Sequence, residues 1–119
     1  MRRDMDLIRS MLKTVADSDV PVDAHALTDD AHPFQVVAYH ADLLRQAGLA
    51  DVSEVKDAGG EIVLATIGPL TWAGNDFLDA VRSDTIWSRT KRLVASRVGS
   101  ASFDVFKAVA VKIATDALM

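Results

Sequence analysis

The chain contains no cysteine. That absence removes disulfides, thiolate metal sites and cysteine nucleophiles together, and it fits a cytoplasmic protein. Long apolar runs are missing as well. The longest, residues 62–70 with Thr66 inside it, is far too short to span a bilayer. The first residues, Met1-Arg2-Arg3-Asp4-Met5-Asp6, carry acids where a signal peptide needs an apolar stretch. Soluble and cytoplasmic, with no membrane partner, is therefore the expectation. No glycine-rich phosphate loop is present: Gly59-Gly60 reads as a turn, and no Gly-Lys-Ser follows. The carboxylate pairs Asp29-Asp30 and Asp76 with Asp79 read as a helix cap and a helix face, not as acid/base dyads. Trp72, Trp87, Phe77, Phe103 and Phe106 read as core. No internal repeat, linker or low-complexity tract interrupts the chain. These absences point to a non-catalytic protein without a cofactor.

Positive charge is scarce in the middle of the sequence. Residues 1–50 hold five Lys/Arg against eight Asp/Glu, and residues 51–81 hold only Lys56 against six acids. Residues 82–119 reverse the balance, with seven against three. The 119 residues are half hydrophobic and one-quarter charged, which suits one folded domain with a real core.

A central helix over 34–49 organises the rest. Val36, Val37, His40, Leu43, Leu44 and Ala47 recur at three- and four-residue spacing as its buried face. Asp29 or Asp30 caps it, Pro33 falls in its first turn, and Gly48 stops it. Ahead of it, a helix over 4–17 buries Met5, Ile8, Met11, Leu12 and Val15. The stretch 18–30 is irregular, with Val20-Pro21-Val22 as a short edge strand. Beyond the central helix, residues 51–56 and 61–67 read as strands joined by a turn at Asp57-Ala58-Gly59-Gly60, with Gly68-Pro69 breaking the second. Thr71 caps a helix to Arg82 that buries Phe77, Leu78 and Val81. Ser83 or Asp84 caps another to Val98, with Ile86, Trp87, Leu93 and Val94 inward and Gly99 at its end. Ser100 or Ser102 caps the last helix. Helix, hairpin, helix is the order of a winged helix. The expected fold is mainly α (α+β): a winged helix-turn-helix with a small hairpin wing over 1–82, and a C-terminal helical extension over 83–119.

Five blocks in order then match a known family. They are Arg3-Asp4-Met5-Asp6-Leu7-Ile8-Arg9, residues 40–49, Leu70-Thr71-Trp72 through Phe77-Leu78-Asp79-Ala80, Asp84-Thr85-Ile86-Trp87 and Ser102-Phe103-Asp104. On these, nearly the whole chain resembles the bacterial and phage family catalogued as domain of unknown function 2513. The resemblance implies a small winged-helix-like protein of phages, prophages and mobile elements, and carries over no catalytic residue.

Two functions follow. A phage or prophage regulator would bind duplex DNA through the solvent face of the central helix, at Gln35, Ala38, Tyr39, Asp42, Arg45 and Gln46. Gln35 would read adenine, and Arg45 guanine or phosphate. Lys56 on the wing would add a phosphate contact, although four acids surround it there. Arg82, Arg89, Lys91, Arg92 and Arg97, with Arg2 and Arg3, offer another basic footprint. The alternative is a protein-interaction module, such as an inhibitor of a host nucleic-acid-handling or defence complex, whose acidic surface suits a basic partner. In the last helix Phe103, Phe106, Ala110, Ile113 and Ala117 repeat at 3-4-3-4 spacing, a seam for a homodimer. Asp23-Ala24-His25, Asp30-Ala31-His32 and His40-Ala41-Asp42 hold metal-ligand types without ligand spacing. His40 reads as a core or capping histidine, His25 and His32 as loop residues, and no metal is expected.

Overall fold

The computed structural model describes residues 1–98 and 103–118, with side chains at 96–98 and 117–118 left out. Gly99, Ser100 and Ser102, expected to end one helix and cap the next, lie outside the described residues, as do the side chains of Arg97 and Ala117. The elements are α1 (Met5–Ala16), β1 (Val22–Asp23), a 3-10 turn (Ala24–Leu27), α2 (Phe34–Ala47), β2 (Ala50–Lys56), β3 (Ile62–Leu70), α3 (Trp72–Val81), α4 (Asp84–Val98) and α5 (Phe103–Leu118). The fold is mainly helical with one small antiparallel sheet, in strand order β1-β3-β2. The chain packs as two compact units, Met1–Asn75 and Asp76–Met119.

In the first unit, α1 starts at Asp4, whose carboxylate accepts from the Leu7 N–H over 3.1 Å. Leu7, Ile8, Met11, Leu12 and Val15 are buried, while Met5, expected inward, is half-buried. Each such side chain contributes about 1.5–3 kcal/mol on burial, which outweighs the marginal stability of a 12-residue helix alone. The cap expected on α2 is absent. Pro33 holds that position without a side-chain bond, and Asp29 instead accepts from the backbone of Ala31 and His32 in a local turn. At the other end Gly48 has φ 72°, the left-handed conformation that a helix stop requires.

The buried face of α2 also differs from the expected one. Val37, Ala38, His40, Ala41 and Leu44 are inside, Val36 and Leu43 are half-buried, and Ala47 is exposed. The helix is flanked by α1, the 3-10 turn and both long strands, so small alanines occupy its tightest contacts.

β2 and β3 pair with Val52 opposite Ile67, Glu54 opposite Ala65 and Val55 opposite Leu64. Asp57 holds their turn, its Oδ1 accepting from the N–H groups of Gly59 and Glu61. Gly68-Pro69 does not end β3 as expected. An irregularity in the register passes over both residues and pairing resumes at Ala50 opposite Leu70, so the missing proline N–H costs no ladder bond. Thr71 then caps α3: its Oγ1 accepts from the Gly74 N–H at 3.1 Å and donates to the Gly48 carbonyl. Trp72, expected in the core, is instead 85% exposed.

In the second unit, Ser83 caps α4 through the Ile86 N–H. Phe77, Leu78, Val81, Trp87, Val94, Phe106, Ala110 and Ile113 form the core. Leu93, expected inward, is exposed, and Thr90 is buried in its place, its hydroxyl donating to the Ile86 carbonyl at 2.6 Å.

Candidate functional site

The surface expected to meet another macromolecule is where α2 crosses the hairpin, and its polar residues bind one another. Asp42 and Arg45 lie one turn apart on α2, so their side chains meet at 2.9 Å. Arg45 Nε also reaches Glu54 Oε1 at 3.0 Å. Gln46 Nε2 donates to the other Asp42 oxygen at 2.6 Å. Glu54 alternates with Val52 on the inward face of β2, which leaves its side chain only 10% exposed. Its Oε2 is buried and no hydrogen-bond donor reaches it.

Two carboxylates therefore share one guanidinium. Burial pushes the Glu54 carboxyl above its ordinary value, the Asp42 carboxylate adds to the rise, and Arg45 and Lys56 pull the other way. Burial acts on Asp42 too, but hydrogen bonds from Gln46, Arg45 and Glu54 prevail and hold it below the usual range. The proton that this pair takes up belongs on Glu54, where it can be donated to Asp42.

The remaining candidate residues are dispersed. Gln35 is half-buried and spends its amide on the Ile62 carbonyl at 3.1 Å. Tyr39 is half-buried, edge-on to His40 with ring centroids 5.3 Å apart. Ala38, expected on the solvent face, is buried. Lys56 is exposed near the hairpin tip. Arg89 and Arg92 are exposed one turn apart on α4, in the second unit, and Lys91 lies 5.7 Å from the Trp87 ring centroid.

Of the residues assigned to a dimer seam, those whose side chains are described are covered from within their own unit. Phe106 and Ile113 are buried, Ala110 completely so, and Phe103 is half-buried. Phe103 meets Phe77 edge-on at 5.4 Å, and Phe106 meets Trp87 at 5.5 Å. Among the described residues, the large apolar side chains that α5 leaves exposed are Val105 and Val111, off that seam.

Each histidine has a local acid or backbone partner. His40 is buried between two backbone groups, donating from Nδ1 to the Val36 carbonyl and accepting at Nε2 from the Asp4 N–H. His25 belongs to the 3-10 turn, stacks on Phe34 at 3.9 Å and pairs with Asp23. His32 pairs with Asp29, not Asp30, and lies 3.5 Å from Asp4 beside a cavity of about 160 Å³. Among the described residues no three potential ligands come together to hold a metal ion. No described helix is long and apolar enough to cross a membrane.

Sequence reasoning did not single out Glu54, although the alternation that makes β2 a strand also turns it inward. Nor did it find the exposed apolar residues of the hairpin, Val55, Val63 and Leu64, whose exposure depends on what lies over the sheet.

No solved structure matches this chain. A Haemophilus influenzae protein described as "Uncharacterized protein" is 34% identical over 112 residues, covering 92% of this chain and 92% of its own length. The family described as "Hypothetical protein (DUF2513)" matches residues 2–101. With that span and that relative, the chain belongs to the DUF2513 family.

Proposed function

We propose that this chain is a non-catalytic protein-interaction module of winged-helix type whose acidic first unit receives a basic protein surface. The observation that carries the reading is the hairpin. Val55, Val63 and Leu64 are 52%, 44% and 41% exposed there, among Asp51, Asp57 and Glu61. Exposed apolar side chains within a charged rim suit an interface, and a rim of one sign selects the opposite sign. The whole first unit agrees, with twelve Asp/Glu against six Lys/Arg. The order of helix, short strand, short helical turn, helix and hairpin, with sheet order β1-β3-β2, supports the winged-helix part. Arg45 and Gln35 are engaged inside the unit, which weighs against α2 as a DNA-reading helix.

A regulator that binds duplex DNA is the second reading. Exposed Arg89 and Arg92 favour it, in a unit with seven Lys/Arg against five acids. The test pairs two assays on the intact chain: gel mobility with random duplex at low salt, and protein capture by wild type against Asp51→Lys/Glu61→Lys. No retarded duplex, with basic proteins retained by wild type alone, supports the first reading. Retarded duplex without charge-dependent capture overturns it in favour of the second.

A further inference from the structure

We propose that the outer edge of β2 is a docking strand, to which an extended segment of a partner, with an apolar residue to meet Val55 and a basic residue on the same face to meet Asp51, adds as a fourth strand. The inference rests on the reading that the acidic unit binds a basic protein, and supplies the surface and the mode.

Among the described residues, the sheet order leaves β2 with one neighbour, β3. Along a strand paired on one side, every second N–H and C=O points outward, ready for another chain. The far half of β2 carries little cover: Ser53, Val55 and Lys56 are all exposed. Alternation places Asp51, Ser53 and Val55 on the outward face, with Val55 opposite Leu64 and Ser53 opposite Thr66. A guest strand would set an apolar side chain beside Val55, continuing the exposed Val55–Leu64 pair. Two residues away in either direction it would meet Ser53 or the hairpin tip, and four residues away Asp51.

Charge decides the occupant. A second copy of β2 would bring the three acids Asp51, Glu54 and Asp57 with Lys56 against the same set, so two strands of like net charge would meet, and like charges across a ladder are unfavourable. A segment with lysine or arginine beside Asp51 gains where the second copy loses. Backbone pairing would supply affinity, and alternate side chains selectivity.

The probe is a fluorescein-labelled heptapeptide alternating threonine with lysine and valine, Lys-Thr-Val-Thr-Val-Thr-Lys, which in either strand direction sets a valine beside Val55 and a lysine beside Asp51, titrated by anisotropy against the full chain. Two further versions carry N-methyl groups on alternate amides, one set for each edge of the peptide. The alternating peptide should bind. One N-methylated version should weaken by about tenfold or more, since several net hydrogen bonds of roughly 0.5–1.5 kcal/mol are lost. Asp51→Lys/Glu61→Lys should also weaken binding tenfold or more, and Val55→Thr, which keeps the side-chain shape, should weaken it measurably. Equal binding by both N-methylated versions, with charge reversal still abolishing it, overturns edge pairing and leaves the acidic-surface reading standing. Failure of the alternating peptide to bind overturns edge pairing, and indifference to charge reversal overturns both. Concentration-dependent self-association lost on Asp51→Lys would make the occupant a second copy and overturn the proposal.

Discussion

The backbone N–H of Asp4 donates to Nε2 of His40 over 2.8 Å, joining residues 36 apart in sequence. Asp4 is the N-cap of α1, so its carboxylate serves the helix while its own N–H is served by α2. On the far side of the ring, Nδ1 lies 2.7 Å from the Val36 carbonyl, which can only accept. The imidazole is therefore the neutral Nδ1–H tautomer. Nitrogen-15 spectra of a histidine-labelled sample should show the proton on Nδ1 of His40. His40→Leu should cost about 1–2 kcal/mol in urea unfolding, because it strands the Asp4 N–H, whereas the Val36 carbonyl keeps its bond within α2. Unchanged stability would mean that water satisfies the Asp4 N–H.

Gly74 and Gly48 both flank the joint between α2 and α3, and substitution should separate their roles. An added Cβ at Gly74 would overlap the Leu49 carbonyl oxygen, and backbone there has little room to withdraw. At Gly48 nothing lies within 4 Å, and the only obstacle is its positive φ. Gly48→Ala should cost about 1–2 kcal/mol from the left-handed conformation. Gly74→Ala should cost more, about 3 kcal/mol, although alanine is the better helix former by roughly 1 kcal/mol. Chemical denaturation of the two variants side by side checks the order. The reverse order would show that α3 is free to lift from Leu49.

Periodicity located α1 well because that helix has one wet side and one dry side, and only Met5 and Leu7 exchange places. It placed α2 along the chain but misjudged its rotation. Valines and leucines dominate a hydropathy pattern, whereas a helix covered on several sides sets its tightest contacts with Ala38 and Ala41. Local breakers misled at Gly68-Pro69 because a register irregularity is a property of the pair of strands. Trp72 misled for a related reason: aromatic character favours burial, but the start of α3 is placed by Thr71 and Gly74, not by the ring. In the candidate site the Asp42–Arg45 pair was implicit in its three-residue spacing. Its closure by Glu54 required knowing that β2 folds back onto α2.

Glu54 and Asp42 should give this unit a pH dependence with a definite sign. Glu54 is raised above the ordinary glutamate value of 4.5, so its contribution to stability is complete below that value and is lost as pH rises through its folded-state titration. Asp42 is lowered below 3.8, so its contribution is present above that value and is lost as pH falls through its own titration. Stability from the pair should peak between the two. Glu54→Gln offers Asp42 an amide donor at every pH and should flatten the decline on the alkaline side. Urea unfolding at intervals from pH 4 to 7 measures this. Parallel profiles for wild type and variant would show that the two carboxyls do not share the proton.

Arg45 discriminates between the two readings of α2 because its surroundings already use its charge. If the guanidinium serves Asp42 and Glu54, Arg45→Met should leave two carboxylates facing each other and lower stability near neutral pH. The loss should be modest, because the Arg45 side chain is 48% exposed and solvent screens the pair. Glu54→Gln in the same chain should recover much of that loss, since one of the opposed charges is gone, and a double-mutant cycle measures the recovery. Duplex retardation at low salt should be the same for wild type and Arg45→Glu. Where any retardation occurs, Arg89→Glu/Arg92→Glu should abolish it and flatten its dependence on salt, each lost phosphate contact removing about 0.9 from the slope. Retardation that disappears with Arg45→Glu and survives the α4 pair would return the recognition surface to α2, with the guanidinium leaving its carboxylates to meet the phosphate.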